Sequence, residues 1–412
     1  MSSRQLRESF ALLRTRRFGT FWFATLLSNI GFWAQEVAEP WLLLSLGASS
    51  FLIGLDAFAG DAPALLLTLA GGILADRYDR RRIITIFQSI QMLCPITLVV
   101  LLVTGTVQPW IVIVLSLVVG VTDAVSMPSY QSIVPSIVEP RQISTGIALS
   151  STQYNLSRIL GPAIAGVLIA AGGVIGCFIV NAASYIPFVV VALWILPRRE
   201  PTGARPDRAR VWANLRAGAR APRVRAALLV VFTSSLLCSP LITFCPVLVH
   251  DAFAGDAARF SLVIAAFGIG GLSGAVVLLG LDPDRDRRRV SSWCAVGYGL
   301  TVAASALVPW FWGLPLLVML AGFAMTVSNT AANTLLQTTG DPTLRGQTVS
   351  MYMLAIRSGM ALGSLLTGAS VHLLGVRTAL AINGVLAICI HLVLGRFWLR
   401  AAPSTHAALQ RG

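Results

Sequence analysis

The chain contains no lysine, and charged residues of all kinds make up only 12% of its 412 residues. Without lysine, the nucleotide-binding P-loop, which uses a lysine to contact phosphates, is excluded from this polypeptide. A water-soluble domain usually carries about a quarter charged residues, so this composition excludes one. The sequence also has little period-two alternation of polar and apolar residues, which argues against an outer-membrane barrel.

The six cysteines show no metal-ligand spacing and all fall inside apolar runs: Cys94, Cys177, Cys238, Cys245, Cys294 and Cys389. We interpret them as small buried apolar residues, in preference to disulfide or metal ligands. Nothing in the sequence resembles a hydrolytic nucleophile elbow or a zinc-protease motif. We therefore predict no metal site, no cofactor and no catalytic residue.

Apolar residues are abundant instead, at 56% of the chain, with a mean hydropathy of +0.77. Because a helix of roughly 20 residues crosses a bilayer and bonds every backbone group internally, the apolar runs predict membrane-spanning helices. They lie at Phe18–Leu46, Leu52–Ala75, Ile83–Thr104, Pro109–Tyr130, Ile143–Ala171, Val174–Leu196, Val224–Val249, Phe260–Leu281, Val290–Val308, Leu314–Thr334, Thr348–Leu374 and Thr378–Leu399. The expected fold is an all-α integral membrane protein with twelve transmembrane helices.

The positive charge is concentrated on one side of these spans. All 31 basic residues are arginines, and the net charge is +14. Only four of them fall inside spans or in the loops of the opposite side: Arg158, Arg259, Arg357 and Arg377. By the positive-inside rule, both termini are expected in the cytoplasm of a bacterial cell, with the chain in its inner membrane. Contact with anionic lipid explains the basic loops, and no nucleic-acid partner is predicted.

The chain divides into two similar halves. A polar stretch at residues 197–223 separates a predicted N-terminal six-helix bundle, residues 1–196, from a C-terminal one, residues 224–412. A shift of 202 positions aligns Gly120 with Gly322, Ser126 with Ser328, Glu139 with Asp341, Gly161 with Gly363, Gly166 with Gly368 and Asn181 with Asn383. A shift of 207 aligns Asp79 with Asp286. Two pseudo-symmetric bundles of this kind are typical of secondary transporters.

The loop at residues 71–82, GGILADRYDRRR, carries the most specific motif. Its residues resemble the signature between spans 2 and 3 of the major facilitator superfamily, at Gly72, Leu74, Asp76, Arg77, Arg80 and Arg81. Asp79 stands where the general pattern has glycine, which resembles the branch that includes enterobactin and macrolide exporters. The resemblance implies that Asp76, with Arg80 and Arg81, holds the cytoplasmic side closed in the outward-facing state. Alternatively, these charges only fix the topology.

Span 5 contains NLSRILGPAIAG, and its Gly161, Pro162 and Gly166 resemble the Gly-Pro motif of the family's exporters and antiporters. Ser157 replaces another glycine that is frequent in that motif. Small residues allow close helix packing, and proline bends a helix, so we expect a bent gating helix. Ordinary membrane-helix packing is the alternative explanation.

Ionisable residues inside the spans are costly and are therefore functional candidates. The candidates for proton coupling are Glu36, Asp61, Asp123, Arg158 and Arg357. Asp61 and Arg158 are expected at similar depths, where they could pair and separate on protonation of the acid; a static salt bridge is the rival interpretation. Asp56 is expected at the interface with water.

Uncharged polar residues in the spans indicate a central cavity: Asn29, Gln35, Gln153, Asn155, Asn329 and Asn333. With nearby aromatic residues such as Trp33, the lining suits an amphipathic organic molecule. We therefore predict a monomeric, proton-coupled exporter of a small organic compound, such as a siderophore or an antibiotic, with membrane lipid as its surroundings. A proton-coupled importer is the alternative, and a membrane enzyme or a receptor is disfavoured because no convergent catalytic set is present.

Overall fold

The computed structural model describes residues 3–67, 71, 74, 78–195, 222–280, 286–338 and 345–400, which form long helices packed side by side. A short helix, Ser3–Leu13, precedes them. Helices α1 to α6 are Arg16–Ser45, Ser50–Asp61, Arg80–Val103, Pro109–Ile137, Ile143–Gly172 and Ile175–Trp194. Helix α7 consists of the pieces Pro222–Leu237, Pro240–Thr243 and Cys245–Phe253. Helices α8 to α12 are Ala257–Gly280, Arg287–Leu307, Gly313–Thr338, Arg345–Leu374 and Val376–Arg400.

Helices α2 to α12 each provide a segment long and apolar enough to cross a membrane, and the segment of α2 extends over Ser50–Leu67. Helix α1 has 30 residues, which is ample length for a span, but Asn29, Gln35, Glu36 and Glu39 make it more polar. Many large apolar side chains point away from the helix bundle, including Leu66, Trp194 and Leu373, each about four-fifths exposed. This surface fits a lipid environment, and the all-α membrane fold predicted from the sequence is confirmed.

Helix α7 is interrupted twice, and a proline lies near the start of the piece that follows each break. Pro240 and Pro246 lie at the first or second position of the short helices that follow each break. Proline has no backbone N–H to donate to the preceding turn, so the chain bends where each piece begins. The first break brings Ser239 toward the interior of the molecule, where it lines the cavity described below.

The two halves repeat the same local contacts. The Asp79 carboxylate accepts a hydrogen bond from the Arg81 backbone N–H at the start of α3, and Asp286 accepts the same bond from Arg288 at the start of α9, both at 3.0 Å. Partial burial raises the pKa of Asp286, but the hydrogen bonds and charge of Arg288 outweigh it and lower that pKa overall. The alignment by 207 positions therefore matches equivalent helix caps.

The alignment by 202 positions also matches equivalent contacts. Gly166 of α5 lies against α8, where an added Cβ would be 2.7 Å from the Ser261 carbonyl oxygen. Its counterpart Gly368 of α11 lies against α2, where an added Cβ would be 2.9 Å from the Ser50 carbonyl oxygen. The halves are thus pseudo-symmetric, as predicted. Most of the predicted linker, residues 197–221, lies outside the described residues.

The buried core shows where the halves meet. We call the end where Arg16, Arg80 and Arg287 begin α1, α3 and α9 the basic end, and the other the distal end. The largest apolar cluster joins both halves near the distal end, from Leu42 and Phe178 to Phe260 and Leu380. Toward the basic end, one cluster contains residues of the first half and a separate cluster residues of the second. The halves therefore pack together at the distal end.

Candidate functional site: a shared cavity with a buried ion bridge

A cavity of about 1110 Å³, counting its open mouth, lies between the two halves. Helices α1, α2, α4 and α5 line it from the first half, and α7 to α11 line it from the second. Its position follows from the core, since packing at the distal end leaves space between the halves beneath it. Five carboxyl groups line it, together with two arginines: Glu36, Glu39, Asp56, Asp61, Asp123, Arg158 and Arg357.

Arg357 of α11 bridges the halves inside this cavity. Its Nη1 donates to Asp61 Oδ1 of α2 at 2.7 Å, and its Nη2 donates to Asp123 Oδ2 of α4 at 2.9 Å. The side chains of Asp61 and Arg357 are 6% and 15% exposed, whereas that of Asp123 is 30% exposed. Attraction between such charges is strong away from bulk water. One arginine of the second half therefore holds two acids of the first.

The structure gives Asp61 a different partner from the predicted one. The guanidinium carbon of Arg158 lies 5.1 Å from the centre of the Trp33 ring, in a cation–π contact. Asp61 is paired with Arg357 instead, across the interface between halves. The proposed Asp61–Arg158 pair was thus wrong in its partner, because matching depth does not fix which way each helix face points. All five charged candidates nevertheless line the same cavity.

Glu39 is held by a chain of hydrogen bonds. Asn181 Nδ2 donates to Gln35 Oε1, and Gln35 Nε2 donates to Glu39 Oε1, both at 2.7 Å. Ser116 Oγ donates to the other carboxyl oxygen of Glu39 at 3.4 Å. These bonds fix the orientation of the carboxyl group within the cavity wall.

Asp56 corrects a prediction made from the sequence. Instead of lying at the interface with water, it is 3% exposed and lines the cavity. Spacing gave no signal for this position, since residues five apart on a helix, such as Asp56 and Asp61, point in directions about 140° apart. Glu39 and Asp56 are the two acids of the site that were not among the candidates.

A second cavity, of about 690 Å³, lies mainly within the first half. Asn29 lines it, together with polar residues of α3 such as Gln88 and Gln91. Phe32, Asp123 and Arg357 line both cavities. The Arg357–Asp123 ion pair thus lies at the boundary between the two spaces.

The other predicted cavity residues have three different outcomes. Gln35 lines the first cavity. Gln153, Asn329 and Asn333 are buried but are not among the residues that line either cavity described above. The Asn329 carbonyl oxygen accepts a hydrogen bond from Tyr352 Oη at 3.2 Å. The side chain of Asn155 lies outside the described part of the chain.

The motif of span 5 lies where α5 touches both a neighbour in its own half and the other half. Gly161 packs against Trp33 of α1, Gly166 packs against Ser261 and Ala265 of α8, and Pro162 lines the first cavity. The same helix thereby links the cavity to the contact between halves.

Part of the charged loop can be placed as well. Gly72, Asp76 and Arg77 lie outside the described residues. Arg80 begins α3 and its Nη1 donates to the Ser132 carbonyl oxygen of α4 at 3.4 Å. The contacts at this basic end therefore join α3 to α4 within the first half.

Comparison with known proteins agrees with this architecture. The Staphyloferrin A transporter of Staphylococcus aureus is 26% identical over 90% of this chain and 94% of its own length. The multidrug efflux pump Tap of Mycolicibacterium fortuitum is 29% identical over 84% of this chain and 87% of its own. Among solved structures, a bacterial homologue of the human lysosomal transporter Spinster, inward-facing and unoccupied, superposes with a TM-score of 0.71 at 16% identity, covering 95% of this chain and 99% of that one.

The profile of the family described as "Transmembrane secretion effector" matches residues 7–411. That range takes in both halves, the cavity and the charged loop. It confirms the resemblance to exporters of the major facilitator superfamily that the loop motif indicated, and it places the chain among transporters of small molecules, not among enzymes. The protein is a multi-pass membrane transporter that belongs to the transmembrane secretion effector family of the major facilitator superfamily.

Proposed function

We propose that the protein exports a small organic compound across the bacterial inner membrane in exchange for protons, by alternating access. The observation that carries this proposal is the Arg357 bridge to Asp61 and Asp123 in a cavity lined by both halves. The efflux function of the relative Tap supports the direction of transport.

The proposed cycle starts from the state in the structure. If the arginine-rich basic end faces the cytoplasm, as the positive-inside rule requires, the halves are packed on the external side. The cavity then receives its cargo from the cytoplasm, which makes this state inward-facing. Both termini lie in the cytoplasm in this arrangement, residues 1–196 and 224–412 form the two moving bundles, and residues 197–223 link them in one monomer.

Proton binding is assigned to the acids of the bridge. Protonation of Asp61 or Asp123 removes the charge that attracts Arg357, so it weakens the contact between α11 and the first half. Asp123 is the more accessible of the two, since its side chain is five times as exposed as that of Asp61. Glu36 and Arg158 line the same cavity and complete the group of charged residues to which we assign proton coupling. If the bridge is only a static brace, variants in which Asp61 or Asp123 is replaced by asparagine are expected to keep proton-coupled transport.

The test uses inside-out membrane vesicles that contain the protein and have an acidic lumen. Three fluorescent probes of different charge are offered separately: ethidium, tetracycline and fluorescein. We expect at least one to accumulate, to leave again when an uncoupler collapses the gradient, and to stay outside in vesicles with the Arg357→Gln variant. Gradient-driven uptake into right-side-out vesicles would show import instead. Accumulation that survives the uncoupler would contradict proton coupling.

A further inference from the structure

The charges of the cavity do not balance. Asp61 and Asp123 share Arg357, and Arg158 lies over the Trp33 ring. Glu36, Glu39 and Asp56 line the same cavity, and none of their contacts described above is with an arginine. An uncompensated carboxylate away from bulk water is unfavourable, so each must be protonated or must meet a cation.

Asp56 is the most deeply buried of these three acids. It is 3% exposed, and its Oδ1 has no hydrogen-bond partner among the described residues. Two further buried polar atoms of residues that line the cavity also lack a hydrogen-bond partner among the described residues: Trp33 Nε1 and Tyr298 Oη. Buried polar atoms are normally hydrogen-bonded, and three exceptions in one cavity indicate a binding site whose partner is a bound molecule.

Aromatic rings provide the rest of the wall. Phe32, Trp33, Phe267 and Tyr298 line the cavity, and the Arg158 contact shows that a cation is accommodated against one of these rings. Aromatic faces attract positively charged groups, most strongly when water is displaced. The combination of ring faces with surplus carboxylates is suited to an organic cation.

A metal ion does not explain these carboxylates. Within the part of the chain that the structure describes, no group of three or more acidic, histidine or cysteine residues is arranged to hold one. The apolar walls contributed by Val37, Val119 and Met325 also favour a ligand with a hydrophobic body over a hydrated ion.

We propose that the cavity selects organic cations, such as amines and quaternary ammonium compounds, with Asp56 as their counter-ion and Glu39 as a second carboxylate. This proposal deepens the export function and rests on it only for direction. An anion of the same shape meets surplus negative charge and is excluded by repulsion. The preference is a property of binding and is measurable without transport.

The test measures binding of two probes that match in size and shape, the cation tetraphenylphosphonium and the anion tetraphenylborate, to the purified protein in lipid nanodiscs by equilibrium dialysis. The amount taken up by empty nanodiscs of the same lipid is subtracted, because the dipole potential of the bilayer favours the anion. We expect the cation to bind at least about tenfold more tightly than the anion. Replacement Asp56→Asn keeps the shape of the side chain and removes its charge, so it is expected to weaken cation binding about tenfold and to strengthen anion binding. Glu39→Gln is expected to act in the same direction.

Asp251→Asn is the matched control, because Asp251 is an exposed acid that contacts His250 on the surface, away from the cavity. It is expected to leave both affinities unchanged. Tighter binding of the anion, absence of cation binding, or equal cation affinity in the Asp56→Asn and Asp251→Asn proteins would overturn the proposal. The vesicle experiment tests export separately from cation selectivity. Its probes include an anion and a zwitterion, so export can be detected even if the cavity does not prefer cations.

Discussion

Arg357 joins the two halves through ion pairs. It places two carboxylates of the first half within hydrogen-bond distance of one guanidinium group of the second. The planar guanidinium suits this task because it presents several N–H donors in fixed directions, so each acid receives its own bond. The bridge therefore stabilises the state seen here and is also the contact that must open when the halves move.

Replacement Arg357→Gln is expected to lower the free energy of unfolding by about 3–5 kcal/mol, because it leaves buried acids without their partner. Adding Asp61→Asn and Asp123→Asn to that variant is expected to restore part of the loss. Denaturant unfolding in detergent measures both effects. Arg141→Gln is the control, since Arg141 pairs with Glu139 on the surface, where its side chain is 80% exposed, and its loss changes stability by less than about 1 kcal/mol. Equal stability of the Arg357→Gln and Arg141→Gln proteins would contradict this account.

The free-energy cost of burying a charge was enough to predict single residues of the site from the sequence, but it did not predict which residues pair. Burying a charge in a membrane is expensive, and this reasoning identified Asp61, Asp123 and Arg357 one by one. Their pairing depends on how α2, α4 and α11 are rotated and on contact across residues almost 300 positions apart. Asp56 was misplaced for a related reason, because sequence position measures depth along a helix and not which side faces the cavity.

Helix α5 shows how one element serves the cavity and the contact between halves. Its Gly161 packs on α1 and its Gly166 on α8, so α5 touches both halves through positions without a side chain. Small residues let helix backbones approach closely in membranes, where dispersion and close packing drive association. The sequence motif predicted close packing, but the identity of the neighbouring helices required the structure.

Two glycines of α5 provide a matched test of this packing. Gly166→Ala is expected to destabilise the protein by about 1–3 kcal/mol, because its Cβ would lie 2.7 Å from the Ser261 carbonyl oxygen and push α8 away. Gly172→Ala is expected to be neutral or to stabilise by up to about 1 kcal/mol, because nothing lies within 4 Å of its Cβ position and alanine favours the helix. Thermal unfolding in one detergent compares them, and the reverse order would argue against a tight α5–α8 contact.

The paired caps of α3 and α9 are a test of the repeat. Asp79→Ala and Asp286→Ala are each expected to cost about 1 kcal/mol, since each removes the acceptor for a backbone N–H at a helix start. Asp79→Asn and Asp286→Asn are expected to cost much less, because asparagine is an equally good cap. A large loss in the asparagine variants would show that the negative charge, and not the cap, is what these positions supply. Denaturant unfolding of the four variants makes the comparison.

The whole molecule is closed at one end and divided at the other. One apolar cluster joins both halves at the distal end, whereas each basic-end cluster contains residues of a single half. Contacts of α2 with α11 and of α5 with α8 join the halves, and the repeated Gly166 and Gly368 positions lie in these two interfaces. The arrangement of the whole molecule was the most predictable from the sequence. The lengths of the apolar runs, the positions of the arginines and the shift of 202 residues that aligns the halves are all properties of the chain itself.

The central claim is that the two ends of the protein open in turn. It is tested most directly by measuring spin-label distances between the halves, with one pair at the distal end, Thr106→Cys and Trp312→Cys, and another at the basic end, Tyr78→Cys and Arg289→Cys, all at exposed positions. The exposed Cys389 is replaced by serine in both proteins. On changing from alkaline to acidic buffer, the account predicts that the two distances change in opposite directions, so that one end closes as the other opens. Distances that stay fixed at both ends, or that change in the same direction, would contradict it.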